Sequence, residues 1–189
     1  LLFCLFYFLN FNLFAENILI KSERISFDKN KEISIFQDNV EFKTADNRII
    51  KSDYAEFDKK SGIIKFKKNI FASDRENNII NTEHAEYNQK TKIFLTKGNT
   101  KITTSEGYTV ESSDIVYNKV KNILFSKNNT RLIDQDENSI NLTNFDYQIK
   151  DSIFKSIGAI DIKDKFNNNY DFSQIYIDTK KKEIIGTDI

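Results

Sequence analysis

Apolar and polar residues alternate at period two over most of the chain, in pairs such as Ile33 and Ile35, Val40 and Phe42, Ile93 and Leu95, and Ile123 and Phe125. β-Branched and aromatic types dominate these pairs, which predicts strands and no helices. The pattern recurs. Ile33, Ile63, Ile93, Ile123 and Ile153 stand at a constant spacing of 30, and Ile184 follows one residue late. Asn39, Asn69, Asn99 and Asn129 fall at one repeat position, then Ile50, Ile80, Val110 and Ile140, then Phe57, Tyr87, Tyr117 and Tyr147. A fixed period of this length marks a stacked-repeat architecture, each unit burying its apolar face against its sequence neighbours.

Between the two apolar pairs of a unit lies an odd gap, as from Ile35 to Val40, filled by Asp-Asn, Lys-Asn, Gly-Asn or Asn-Asn. An odd gap would turn the second pair to the other face unless the strand bends. Asn and Gly are the residues that tolerate the left-handed backbone of a bulge, so a corner is expected there. The same applies between Ser52 and Ala55, Thr82 and Ala85, and Ser112 and Ile115. The expected architecture is a stack of bent hairpins with apolar residues facing a space between two sheet halves. Residues 18–27 should form one edge strand and residues 175–189 the other. With no proline anywhere in the chain, both edges can accept a further strand.

Composition narrows the functional classes. The 189 residues hold 28 basic and 28 acidic side chains, and this zero balance argues against a nucleic-acid partner, which needs a basic excess. Alternation of Lys with Asp and Glu on the outer strand faces accounts for the neutrality. Residues 1–15 carry no charge and read as the apolar region of a secretory signal peptide, with residues 16–189 as the exported domain. The start of that leader reads as missing upstream, and the chain's end as cut within a strand. Cys4, the single cysteine, lies inside the leader, so the exported part must be held by its core and strand pairing alone.

Candidate chemistry is sparse. His84 is the single imidazole, and its repeat equivalents Tyr54 and Asp114 repeat no chemistry, which makes it a solvated strand residue. The stretch 134–145 begins like a calcium loop but has Ser139 where the turn glycine belongs and Phe145 where the bidentate glutamate should stand. No nucleophile with its base, no phosphate-binding glycine loop and no cysteine pair supports an enzyme, so neither cofactor nor metal is expected. Lys65, Lys67 and Lys68, or Lys180 to Lys182, could meet lipid phosphates, although such groups usually solvate strand faces and turns.

The units Asp38-Asn-Val-Glu-Phe42 with Ile50-Lys-Ser-Asp-Tyr-Ala-Glu-Phe57, and Lys68-Asn-Ile-Phe-Ala72 with Ile80-Asn-Thr-Glu-His-Ala-Glu-Tyr87, resemble the OstA-type repeat of the lipopolysaccharide-transport proteins. The resemblance covers residues 17–189. It implies an all-β fold, a twisted OstA-type jellyroll (β-taco) built from these strand repeats, with a slot between two sheet halves. Within the family it points to the amino-terminal periplasmic domain of the outer-membrane translocon LptD, ahead of the bridge LptA or the anchored LptC.

What the resemblance implies for function is non-enzymatic transport of lipopolysaccharide across the periplasm, the lipid A acyl chains lying in the slot. Its lining would be Ile35, Phe42, Ile50, Phe57, Phe66, Ile80, Tyr87, Leu95, Ile102, Val110, Tyr117, Phe125, Leu132 and Tyr147. Other OstA-type proteins would join by strand addition at Ile18, Ile20, Ser22, Ile25 and Phe27 on one edge, and at Ile175, Ile177 and Ile184 on the other. An LptD domain would also sit at the outer membrane. The competing reading is a structural or adhesive β-repeat protein that polymerises edge to edge around a filled core.

Overall fold

The computed structural model describes residues 18–44, 47–181 and 183–187. Residues 1–15, read from sequence as a signal peptide, and the very end of the chain lie outside the described residues, as does Lys182. The described chain is all-β, with sixteen strands in one antiparallel sheet. Strands β1 (Leu19–Lys21) and β2 (Arg24–Asp28) lead into five long strands: β3 (Ile33–Lys43), β4 (Ile49–Asp58), β5 (Ile63–Ser73), β6 (Ile79–Asn88) and β7 (Ile93–Thr103). Six short ones follow: β8 (Thr109–Ser113), β9 (Val116–Asn118), β10 (Ile123–Ser126), β11 (Thr130–Ile133), β12 (Ser139–Leu142) and β13 (Phe145–Gln148). Two long strands, β14 (Ile153–Lys163) and β15 (Asn169–Asp178), and the short β16 (Glu183–Thr187) complete the order.

Each long strand turns a corner where the spacing predicts one. In β3, Gln37 pairs with Tyr54 and Val40 with Ser52, so Asp38 and Asn39 stand opposite the single residue Asp53. This two-against-one count is a β-bulge, and both extra residues take left-handed backbone, at φ 61° and 50°. Lys68 and Asn69 repeat the geometry in β5. Gly98 in β7 and Gly158 in β14 hold the same place with φ of 78° and 125°.

The corner folds the sheet onto itself. Phe36 and Phe42 are six residues apart, about 20 Å along an extended strand, yet their rings meet edge to face with centroids 5.6 Å apart. Phe42 in turn meets Phe66 at 5.0 Å. The sheet therefore has two arms facing each other. The first arm holds β2, β9, β10, β13 and β16 with the halves of the long strands that pair with them; the second holds β1, β8, β11 and β12 with the remaining halves.

Between the arms runs one apolar interior in two clusters. Phe36, Val40, Phe42, Ala55, Ile64, Phe66, Ile70, Ala85 and Phe94 fill the amino-terminal part. Ile102, Val110, Ile115, Leu132, Ile140, Leu142, Phe145, Phe154, Ile160, Ile175 and Ile177 fill the carboxy-terminal part, and Ile80 packs against both. At about 1.5–3 kcal/mol for each large side chain taken from water, this interior drives the folding of the repeats.

Candidate functional site

The site with the clearest geometry is the apolar interior and the seam where the free ends of the two arms meet. Each unit sends alternate residues inward, so register decides what the interior sees. Phe36, Ala55, Phe66, Ala85 and Thr96 are directly cross-strand to one another and all are buried. Nearer the seam, Phe57 pairs with Ile64 and Tyr87 with both Ile64 and Phe94. Tyr117 pairs with Phe94 and Leu124, and Tyr147 with Leu124 and Phe154. Phe57, Tyr87, Tyr117 and Tyr147 are half-buried, and they form one aromatic row along the first arm's side of the seam. On the second arm, Ile50 and Ile80 are likewise half-buried at the corresponding depth. The arms touch there: the Arg48 guanidinium, from a second-arm hairpin tip, lies 5.8 Å from the centroid of the Tyr117 ring.

At the corner the interior turns polar and is sealed by hydroxyls. Thr100 Oγ1 lies 2.7 Å from Thr96 Oγ1 and 3.1 Å from Thr82 Oγ1. Thr96 Oγ1 accepts the Ile115 N–H at 3.0 Å, and Ser112 Oγ lies 2.8 Å from Thr130 Oγ1. These bonds satisfy polar groups buried among Phe and Ile side chains, where an unmet donor costs about 1–3 kcal/mol. Through the middle of the stack these bonds tie the two arms together at the corner.

The two ends differ. At the amino-terminal end Ile25 pairs with Phe36 and Phe27 with Ser34, so both face the interior, yet they are 64% and 55% exposed. At the carboxy-terminal end the Phe172 ring reaches from the second arm over Gly186 in β16, leaving no room there for a Cβ. Among the described residues one mouth of the interior is open and the other is covered by an aromatic ring.

Eleven of the fourteen residues expected to line the slot face this interior: Phe42, Ile50, Phe57, Phe66, Ile80, Tyr87, Ile102, Val110, Tyr117, Leu132 and Tyr147. Ile35, Leu95 and Phe125 do not. Ile35 pairs with Glu56, Leu95 with Glu86 and Val116, and Phe125 with Val116 and Asp146, all one register position away from the buried residues. From Phe36 to Val40 is an even step of four, so plain alternation keeps both inside and leaves Ile35 facing out; the odd inward step falls on the partner strand, from Ser52 to Ala55. The inward residues missed from sequence include Phe36, Ile64, Phe94 and Phe154, and reading down the repeat finds them, because the Ile35 position is lysine in two units, Lys65 and Lys155.

The edges also differ from expectation. At the amino-terminal edge β1 and β2 are separate strands, both on β3, broken at Ser22 and Glu23 opposite the corner; Ile18 and Ile20 pack on the core. At the carboxy-terminal edge Ile175 and Ile177 are not edge residues. They pair with Gly186 and Ile184 of β16 and are buried, since they are the repeat equivalents of Ala55 and Phe57; Ile184 alone of the three stands on the edge strand. Residues 169–172 of β15 are left without a strand on their outer side among the described residues.

Other singled-out residues lie on the outer surface. His84 is exposed and stands between Lys67 and Lys97 in register. The 134–138 stretch is a hairpin tip in which Asp134 Oδ1 accepts the N–H groups of Asp136 and Asn138, each at 2.9 Å. Among the described residues no group of three or more His, Cys, Asp or Glu is placed to hold a metal ion.

No protein-family profile matches the chain, and no curated protein matches it. Among solved structures, LptH of Pseudomonas aeruginosa, the LptA-homologous periplasmic component of its lipopolysaccharide transport device, aligns over 92% of this chain and 84% of its own. Identity is 7% and the TM-score 0.26. The TCP10 domain of Danio rerio CPAP, solved with a peptide of STIL, aligns over 82% of this chain and 99% of its own at 8% identity and a TM-score of 0.16. At these scores neither likeness carries weight for function.

Proposed function

We propose that this chain is a non-enzymatic lipid carrier of the periplasm that holds the acyl chains of lipopolysaccharide between its arms, on the way to the outer membrane. The observation that supports this reading is the seam. An apolar interior spans the stack from Phe36 to Ile177, and along one side it ends in half-buried aromatic and aliphatic residues, not in a closed wall. Acyl tails entering there would displace ring-to-ring contacts such as Phe42 with Phe66 while the charged sugar head stayed in water. The repeat motifs that resemble the OstA type agree with it, and an LptD-type domain remains the favoured member. Similar repeat proteins would add strands at β1 and β2, or at β16 and the bare half of β15.

One observation favours the alternative of a filled edge-to-edge repeat protein. Phe66, Ile64 and Ile70 are each at most 2% exposed, so the interior is packed by its own side chains as it stands. The two readings part on whether the seam opens. A photoreactive amino acid placed at Phe57, Tyr87 or Tyr117 in living cells should yield lipopolysaccharide adducts if the chain is a carrier. Protein–protein adducts alone from all three positions would establish the scaffold reading.

A further inference from the structure

Net neutrality hides a sorting of charge between the two rows of hairpin tips that border the seam. The first-arm tips are residues 28–32, 58–62, 88–92, 118–122, 148–152 and 178–181, and every one carries lysine, two in five of the six. The second-arm tips are acidic by comparison, most of all 134–138 with Asp134, Asp136 and Glu137. On the strand faces, by contrast, opposite charges are paired across strands: Glu41 lies 3.8 Å from both Lys21 and Lys51, and Lys97 lies 2.7 Å from Glu86.

How the tips are capped explains why the basic row is strongest at its centre. Asp58 Oδ1 accepts the N–H groups of Lys60 and Ser61, and Asp178 Oδ1 those of Lys180 and Lys181, so each of these tips carries its own negative charge. On the two central tips a neutral side chain does the same work: Asn88 Oδ1 accepts from Lys90 and Thr91, and Asn118 Oδ1 from Lys121, so residues 88–92 and 118–122 each hold two lysines and no acidic residue in sequence. Val120, between two of these lysines, is 71% exposed, and Ile149 on the next tip, beside Lys150, is 38% exposed. Neither is required by the interior.

We propose that this row of first-arm tips is a docking face for an anionic lipid membrane surface, with Val120 and Ile149 entering the interfacial layer and the flanking lysines meeting lipid phosphates. Exposed aliphatics framed by lysines on a common rim match a surface that is apolar below and negatively charged above. This inference goes beyond acyl-chain carriage and does not depend on it.

The test is flotation of the purified protein with phosphatidylglycerol vesicles and with phosphatidylcholine vesicles at low salt. The wild-type chain should float with the former and not the latter, and added salt should release it. The double variant Lys90→Glu/Lys121→Glu should lose at least about thirtyfold in partitioning at low salt, and Val120→Asp should lose binding on its own. Phe166→Asp, a control at an equally exposed aromatic on a second-arm tip, should bind as the wild type does. Equal partitioning to both vesicle types, unchanged binding by the lysine and valine variants, or loss in the Phe166 control would each overturn the proposal. Lipopolysaccharide adducts from Tyr87 together with no flotation would overturn the docking face and leave the carrier reading standing.

Discussion

The flanks of the sheet and its middle are built from one repeat but turn their corners in different ways. In β3 to β6, and again in β14 and β15, the strand runs unbroken through the bulge; the middle begins at β7, itself unbroken, and beyond it each corner cuts the strand in two, giving β8 to β13. On the amino-terminal flank the corner side chains bond outward to each other: Asn69 donates to Asp53 at 2.7 Å. In the middle Asn128 likewise donates to the Asp114 side chain, at 3.0 Å, but the corner side chains bond to the backbone as well. Asp114 Oδ1 accepts the Gly98 N–H at 2.9 Å, Ser126 Oγ donates to the Ser113 carbonyl at 2.7 Å, and Asn128 Nδ2 donates to the same carbonyl at 3.2 Å. Short polar side chains compete with the ladder for backbone groups, and here they replace it. The interior follows suit, with Phe36 and Phe66 on the flank giving way to Thr96 and Ser126 at the same repeat position. The lesson is that the repeat conserves the path of the chain while exchanging what holds it: ring packing at one end, hydroxyl bonds in the middle.

This difference can be broken at either end. The largest effect is expected at Phe66→Ala, which removes a ring that is 1% exposed and in contact with Phe42, and should destabilise the fold by about 3–5 kcal/mol in urea unfolding. The equivalent change in the middle, Thr96→Val, keeps the volume but removes the acceptor of the Ile115 N–H, and should cost about 1–3 kcal/mol by the same measurement. If the two costs were reversed, the division between ring packing and hydroxyl bonding would be wrong. Gly98→Ala adds a Cβ with no atom within 4 Å of it, so its expected cost of about 1–2 kcal/mol is that of holding φ at 78° without glycine. A cost near zero there would mean that the middle corner relaxes freely.

The smallest effect concerns the tips that an aspartate caps. Asp58 is held below the usual carboxylate range by the Ser61 N–H, Asp164 by the Asn168 side chain, and Asp178 by the Lys181 N–H. A carboxylate with a lowered folded-state pKa contributes stability that is fully present above its unfolded value and lost as pH falls through its folded value. Acidification below the ordinary aspartate range should therefore weaken the wild type slightly more than Asp58→Asn, as read from unfolding midpoints at neutral and low pH. An identical pH response in the two proteins would show that the cap contributes nothing.

Much of this architecture was legible in the residues. The constant spacing from Ile33 to Ile153 predicts the strand stack, and the Asp-Asn and Lys-Asn dipeptides predict the corners, because few residues accept left-handed backbone. The phase through the corner was harder to read. An odd gap says that the strand bends but not which of two alternating pairs stays inside, and Ile35 is more apolar than its outward position requires. Comparison down the repeat resolves it, since no lysine of the Lys65 kind would be buried unpaired. The split of β8 to β13 depends on particular side chains reaching particular carbonyls, as Asn144 reaches that of Ile157 at 2.6 Å, and period-two patterning carries no such information. The covering of Ile175 and Ile177 likewise depends on β16 reaching back along β15.

The central claim is that the seam side of the interior receives acyl chains while the hydroxyl-bonded corner stays shut. Methyl NMR of the purified protein with isotope-filtered contacts to unlabelled lipopolysaccharide tests it directly. The account predicts contacts from acyl methylenes to the methyls of Ile50, Ile80 and Val110, with none to the γ-methyls of Thr96 and Thr100 at the corner. Methyl spectra unchanged at saturating lipopolysaccharide, or contacts confined to outward residues such as Ile35 and Leu95, would contradict it.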